Sequence, residues 1–229
     1  MKKLLLLVVL AFGALALPAW ALAGPFTLHP SGFGEHSYSA WKGQEGLPDS
    51  TGGKNQALYF QKDTPTPTFA AGVAVFKGFE GMSSSAVLPL KFWYGTDGHC
   101  GAGAPRFNVR IETAPNVRQT VFVGCAAMVP GGTAAAPNGR IFQEKTFAGP
   151  LPAGTIVSLA IVYDEGNDFG FPCPDLGNSC VYLDNIQVGS HVWTSASDNG
   201  NGQTITAAPT GEEFVSSLMG ESLLEALTQ

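Results

Sequence analysis

From Gln56 to Thr194 the apolar residues recur with a period of two, and almost nowhere with the 3.6-residue period of a helix. That feature commits the chain to pleated strands, whose side chains alternate between two faces. The clearest case is Arg106-Phe-Asn-Val-Arg-Ile-Glu112, in which Phe107, Val109 and Ile111 share one face and Arg106, Asn108, Arg110 and Glu112 take the other. Thr155–Tyr163 is apolar on both faces, as expected of a strand near the centre of a sheet. Further strands are predicted over 56–61, 71–76, 87–94, 119–125, 140–147, 180–188 and 191–194. Turn-formers separate them: Gly52-Gly53, Pro65 and Pro67, Gly101 to Pro105, Pro130-Gly131-Gly132, Pro137-Asn138-Gly139 and Gly149-Pro150. Many short strands at this spacing predict an all-β domain, a β-sandwich or jelly roll.

The two ends read differently. Lys2 and Lys3 precede an uninterrupted apolar run from Leu4 to Leu17, and Ala21-Leu22-Ala23 has the small-x-small pattern of a cleavage site. Residues 1–23 are therefore expected to be a secretory signal peptide, because a run of this length falls short of the roughly 20 residues that span a bilayer. No later segment has that length, so the mature chain is expected to have no membrane span. The sandwich is expected over 24–194 and a flexible linker over 195–209, which is rich in Asn, Gly, Ser, Thr and Ala. A short amphipathic helix is expected over 210–229. Thr210-Gly-Glu-Glu213 has the spacing of a capping box, and Phe214, Val215, Leu218, Met219, Leu223 and Leu227 fall on one helix side. Docking on the chain's own sandwich, or fraying, is the plain role for that helix, and holding a protein partner is the competing one.

Composition narrows the function classes. Only 13% of the 229 residues are charged, against about 25% in ordinary domains, which argues against a coiled coil or a charge-rich disordered chain. Loss of Lys2 and Lys3 with the leader takes the formal net charge of −6 to −8. An acidic domain repels phosphate backbones, so a nucleic-acid partner is not expected. With 45% hydrophobic and 10% aromatic residues there is material for one sizeable core. The chain reads as exported, to the medium or the periplasm.

Export allows disulfides to persist, and four cysteines allow three pairings. Sequence order suggests Cys100 with Cys125 and Cys173 with Cys180, the second pair bracketing the turn-rich Pro174–Ser179. A zinc site from all four is disfavoured, since no C-x-x-C pair exists.

The segment with most chemical content is Cys180-Val-Tyr-Leu-Asp-Asn-Ile-Gln-Val188. If Ile186 and Val188 face the core, unbroken alternation puts Asp184 on the same inward face. A carboxylate there needs partners, because burying it alone costs several kcal/mol. Backbone N–H groups of the N-terminal segment would serve, and so would a Ca²⁺ ion shared with nearby oxygens. Leu183-Asp-Asn-Ile186 resembles the closing strand of carbohydrate-binding β-sandwich modules with the galactose-binding-like jelly-roll fold. Pro30-Ser-Gly-Phe-Gly-Glu35, then Trp41, then Gly53-Lys-Asn-Gln-Ala-Leu-Tyr59 is similar to their first strands. The resemblance implies a structural Ca²⁺ held by the closing-strand acid and oxygens of the first segment, here Asp184 and Glu35. The chain departs from that pattern in placing Gly34 before Glu35.

A glycan ligand would be recognised by aromatic rings stacking on the apolar face of a sugar. Trp41 and Tyr38, in a glycine-rich early stretch, are the expected surface rings, while Trp93 is a ligand candidate that core packing claims first. His99-Cys-Gly-Ala-Gly-Ala-Pro-Arg-Phe-Asn-Val109, with Phe122-Val-Gly-Cys125 downstream, resembles a pattern in bacterial secreted proteins of no assigned activity. Physically it is a glycine-rich loop that gathers Asp97, His99 and Arg106 at one edge, either to bind or to shape the loop. Enzyme signatures are thin. There is no G-x-S-x-G, no H-E-x-x-H and no Walker loop, Ser39-Ala-Trp-Lys42 lacks the partners of an S-x-x-K site, and the acids 164, 165 and 168 read as solvated or Ca²⁺-binding. The sequence thus favours a secreted binding module over a catalyst, with a structural or adhesive envelope protein as the alternative.

Overall fold

A computed structural model describes residues 26–49, 54–166 and 180–198. Their strands form two antiparallel sheets. In the five-stranded sheet β1 (Thr27–Phe33), β4 (Ala71–Lys77), β10 (Thr155–Tyr163), β6 (Arg106–Ala114) and β7 (Val117–Gly124) lie side by side. In the seven-stranded sheet the order is β2 (Ser37–Lys42), β3 (Ala57–Lys62), β11 (Cys180–Val188), β5 (Leu90–Gly95), β9 (Ile141–Phe147) and β8 (Val129–Ala135). The seventh strand, β12 (His191–Trp193), pairs with the end of β11. Among the described residues the helical pieces are 3₁₀ turns of three or four residues, and no helix is long and apolar enough to cross a membrane. The expected leader, most of the linker and the expected C-terminal helix lie outside the described residues.

The sheets meet through their inner faces, as a β-sandwich. Alternation in β6 turns Phe107, Val109 and Ile111 inward, where none has any exposed surface. Leu58, Phe60, Phe92, Val181 and Leu183 meet them from the other sheet. Each such side chain contributes about 1.5–3 kcal/mol by leaving water. Tyr163 is packed deep enough in this layer that burial holds its phenol well above the ordinary range.

Three strands, β1, β2 and β8, lie outside the segments whose alternation predicted strands, and β1 and β8 are rich in residues that usually end strands. β1 contains Pro30-Ser31-Gly32 and β8 contains Pro130-Gly131-Gly132. Both lie at sheet edges, where a proline need not break a ladder bond. In β8 the register also slips between Pro130 and Thr133. β2 runs through the stretch expected to be a loop, so Tyr38 and Trp41 stand on a strand. β5 begins at Leu90 rather than 87, because Ser84–Val87 forms a 3₁₀ turn capped by the Ser83 hydroxyl.

The expected placement of Asp184 is overturned. Leu183 and Ile186 both join the inner core although they are three residues apart. Asn185 sits between them at φ 44°, and the register against β5 shifts by one residue between Asp184 and Gln187. This bulge reverses the alternation, so Asp184 faces outward. Asparagine tolerates the left-handed region better than most side chains.

The Cys100–Cys125 disulfide is formed, closing a loop of 25 residues between the approach to β6 and the end of β7. Cys180 is also disulfide-bonded, while Cys173 lies outside the described residues. Replacing Cys100 and Cys125 together by alanine is expected to lower stability by about 3 kcal/mol through the freed unfolded chain, read as a shift in the urea midpoint. A change below about 1 kcal/mol would show that loop closure does not limit this fold.

Candidate functional site

The outer face of the seven-stranded sheet carries the densest group of aromatic side chains outside the sandwich interior. It follows from alternation. Inward Leu58, Phe60, Val181 and Leu183 leave Tyr59 and Tyr182 outward, and inward Phe92 leaves Trp93 outward. Pairing sets Tyr59 opposite Tyr182 and Trp93 opposite Asp184. Ring centroids lie 5.7 Å apart for Tyr38 and Tyr59 and 4.8 Å apart for Tyr59 and Tyr182, within the range of favourable tilted contacts.

Loops cover the centre of this face and leave its flanks open. Leu47 packs over it and is 6% exposed. Arg140 reaches in from the hairpin before β9 and lays its guanidinium 4.1 Å from the centre of the Tyr182 ring. The same guanidinium donates to Glu45 Oε2 at 3.0 Å and to Asp97. Tyr59 and Tyr182 are consequently buried, whereas Tyr38 and Trp93 remain half-buried at the two sides. Lys42 Nζ stands 5.7 Å from the Tyr38 ring centre, and Lys91 pairs with Glu144 at 3.8 Å beside Trp93.

Asp184 lies under the covering loop. Its carboxylate accepts from the Leu47 N–H and from the Asn185 N–H, both at 2.6 Å. The first is a backbone donor of the N-terminal segment, one of the two arrangements the sequence offered, and the second comes from the next residue of β11. Burial pushes its pKa up to about 7, the two donors resist that shift, and the charges of Asp49 and Asp198 add to it. Asp198 is itself held by the Thr194 and Ser195 N–H groups at 2.6 and 2.8 Å. Glu35 belongs to the turn between β1 and β2, is 77% exposed and pairs with His36 at 3.2 Å. Among the described residues no group of three or more His, Cys, Asp or Glu is disposed to hold a metal ion.

A second cluster stands where β6 leaves the glycine-rich loop. His99 Nε2 contacts Glu165, and the same carboxylate accepts from the Gly103 and Ala104 N–H groups at 3.1 Å. A Cβ on Gly101 or Gly103 would collide with that carboxylate or with the His99 ring, so the glycines are required by the approach. Arg106 clamps Asp164 with two bonds of 2.5 and 2.6 Å. The structure thus brings His99 and Arg106 together through partners on the segment after β10, while Asp97 turns instead to Arg140. Asp164 and Glu165 are anchors of this loop rather than the solvated acids of a turn, and Asp168 lies outside the described residues. Every polar group named here is engaged with another part of the chain, which is what a rigid loop needs.

Of the expected ligand rings, Tyr38 and Trp93 share the outer face. Trp41 does not: as the alternate residue of β2 it packs against the inner core, with its indole N–H buried and without a hydrogen-bond partner among the described residues. Ser39 and Lys42 fall on opposite faces for the same reason. The Ser39 hydroxyl bonds the Val73 carbonyl and Lys42 lies over Tyr59, so no S-x-x-K chemistry is available to them. Tyr59 and Tyr182 escaped sequence reading although Leu58, Phe60, Val181 and Leu183 carried their phase. Arg140 gave no signal, since its role depends on a hairpin folding across the sheet.

Compared with known proteins, the chain matches no family model, no curated protein and no solved structure. The fold and the outer face therefore define its class only as a two-sheet antiparallel β-sandwich with an aromatic outer surface.

Proposed function

We propose that this chain is an exported, non-catalytic binding module of the jelly-roll type whose ligand is a glycan held on the outer face of the seven-stranded sheet. The observation that supports it is the placement of Tyr38 and Trp93, half exposed, at the sides of one aromatic layer with Lys42, Lys91 and Glu144 beside them. A sugar presents an apolar face to a ring and hydroxyls to charged neighbours, and this surface offers both kinds of contact. Glycan-array binding of the mature chain tests it. Tyr38→Ala and Trp93→Ala are each expected to weaken binding about tenfold, the equivalent of one lost stacking contact, at unchanged melting temperature. Trp41→Ala is the contrasting variant, lowering stability by about 2–3 kcal/mol as a truncated core ring. Absence of any glycan ligand, or binding indifferent to both surface variants, would sink the proposal.

Export itself is checked by finding mature protein that begins at Gly24 in the periplasm or medium. Calcium enters this reading through the resemblance and through the need of a buried Asp184 for partners. Unfolding with excess Ca²⁺ and with chelator tests it, since an ion bound only by the native state must raise the melting temperature.

A further inference from the structure

On the outer face of the five-stranded sheet a strip formed by β4 and β10 is buried where a bare sheet face would be wet. Alternation turns Ala71, Val73 and Val75 of β4 and Ala160 and Val162 of β10 away from the sandwich core, yet none is more than 6% exposed. Asn108, paired with Ala160, is 7% exposed. The Ser31 hydroxyl, on the residue paired with Val73, is buried without a hydrogen-bond partner among the described residues. Among the described residues the apolar side chain packed against this strip is Phe33. One flank is cationic. Strand pairing puts Arg106, Arg110 and Arg118 on this same face of β6 and β7, and Glu112 is the one carboxylate that those two strands place there. Asp164 pairs with Arg106 and Glu112 with Arg118, whereas Arg110 has no ion pair among the described residues.

We propose that the C-terminal segment 210–229 docks on this strip as an amphipathic helix and covers it in the mature chain. Its apolar side offers Phe214, Val215, Leu218, Met219, Leu223 and Leu227, and its charges are Glu212, Glu213, Glu221 and Glu225 with no Lys or Arg. Anionic helix and cationic flank are complementary. A helix over 212–227 would be about 24 Å long, enough to cross five strands spaced about 4.8 Å apart. The path is also available. Asp198 lies at the seven-stranded sheet, where its neighbour Ala196 donates to Gln56. Residues 199–209 can extend about 35 Å, which exceeds the roughly 10 Å between stacked sheets. The leader carries an apolar run that could occupy the same strip, but it is expected to be gone after export.

Hydrogen exchange of the mature chain, read by mass spectrometry at two protein concentrations, tests this. Amides 212–227 are expected to exchange at least about tenfold more slowly than in an unstructured peptide. The double variant Leu218→Asp/Leu223→Asp should abolish that protection and let an apolar dye bind. Arg110→Glu, a surface change that leaves the core intact, should speed exchange of the segment about two- to fivefold, as expected for loss of an exposed charge interaction. Exchange at unstructured rates in the unmodified chain would overturn the proposal. So would protection present only at the higher concentration, which would make a second copy the occupant, or protection that survives both variants.

Discussion

Replacing Lys62 by methionine is expected to lower the melting temperature by roughly 12 °C. Lys62 is 1% exposed at the end of β3. Its ammonium donates to the carbonyls of Thr66 and Thr68 at 2.8 Å and of Asp164 at 2.7 Å. One side chain thereby ties the loop after β3 to the end of β10, on the opposite sheet. Hydrogen bonds to a charged group contribute about 1.5–3 kcal/mol each. Three that share one donor do not add fully, and about 4 kcal/mol is the expected loss. At roughly 2–4 °C per kcal/mol for a domain of this size, that gives the shift above. Methionine keeps most of the apolar stem, so the loss reports the carbonyls. A melting temperature within about 2 °C of the unmodified chain would show that these carbonyls find other donors.

Asp184 gives the second large effect, with a sign opposite to that of most acids. Its pKa in the folded chain is pushed up to about 7 by burial, above the ordinary aspartate value of 3.8. The folded state then holds the proton more tightly than the unfolded one. Its stabilising contribution is complete below about pH 4 and is lost as pH rises through about 7. Three units correspond to a change on the order of 4 kcal/mol. Urea unfolding in the presence of chelator, at steps between pH 4 and 8, should show stability falling with pH over this window. Asp184→Asn should flatten that part of the profile. An Asn variant with an unchanged slope would assign the effect to other groups.

Legibility in the sequence depended on whether local pattern and tertiary position agreed. β6, β10 and β11 were legible because their apolar residues alternate or run continuously. β1 and β8 were not, since proline and glycine announce turns and only a sheet edge makes them acceptable in a strand, and β2, which carries neither, was read with the glycine-rich stretch around it. The phase of a strand needs one anchored residue. Without it, Trp41 was expected at the surface and Trp93 first in the core, and the structure assigns them the other way round. Asp184 was displaced by a single bulge residue. The loop holding His99 and Arg106 was visible, but their partners Glu165 and Asp164 stand 66 and 58 residues further along the chain. Nothing local links such distant positions.

The sandwich ends in two very different borders. β8 finishes its sheet with a proline, two glycines and a slipped register, a combination that gives an incoming strand little to pair with. β7 finishes the other sheet with an unbroken register from Arg118 to Gly124, no proline and a single charge, and it exposes Val117 by 54% and Phe122 by 62%. Crowding therefore acts on this molecule asymmetrically. At high concentration, growth by strand addition begins at β7. A lysine or a proline on β7 is the change that would most improve the solubility of the protein.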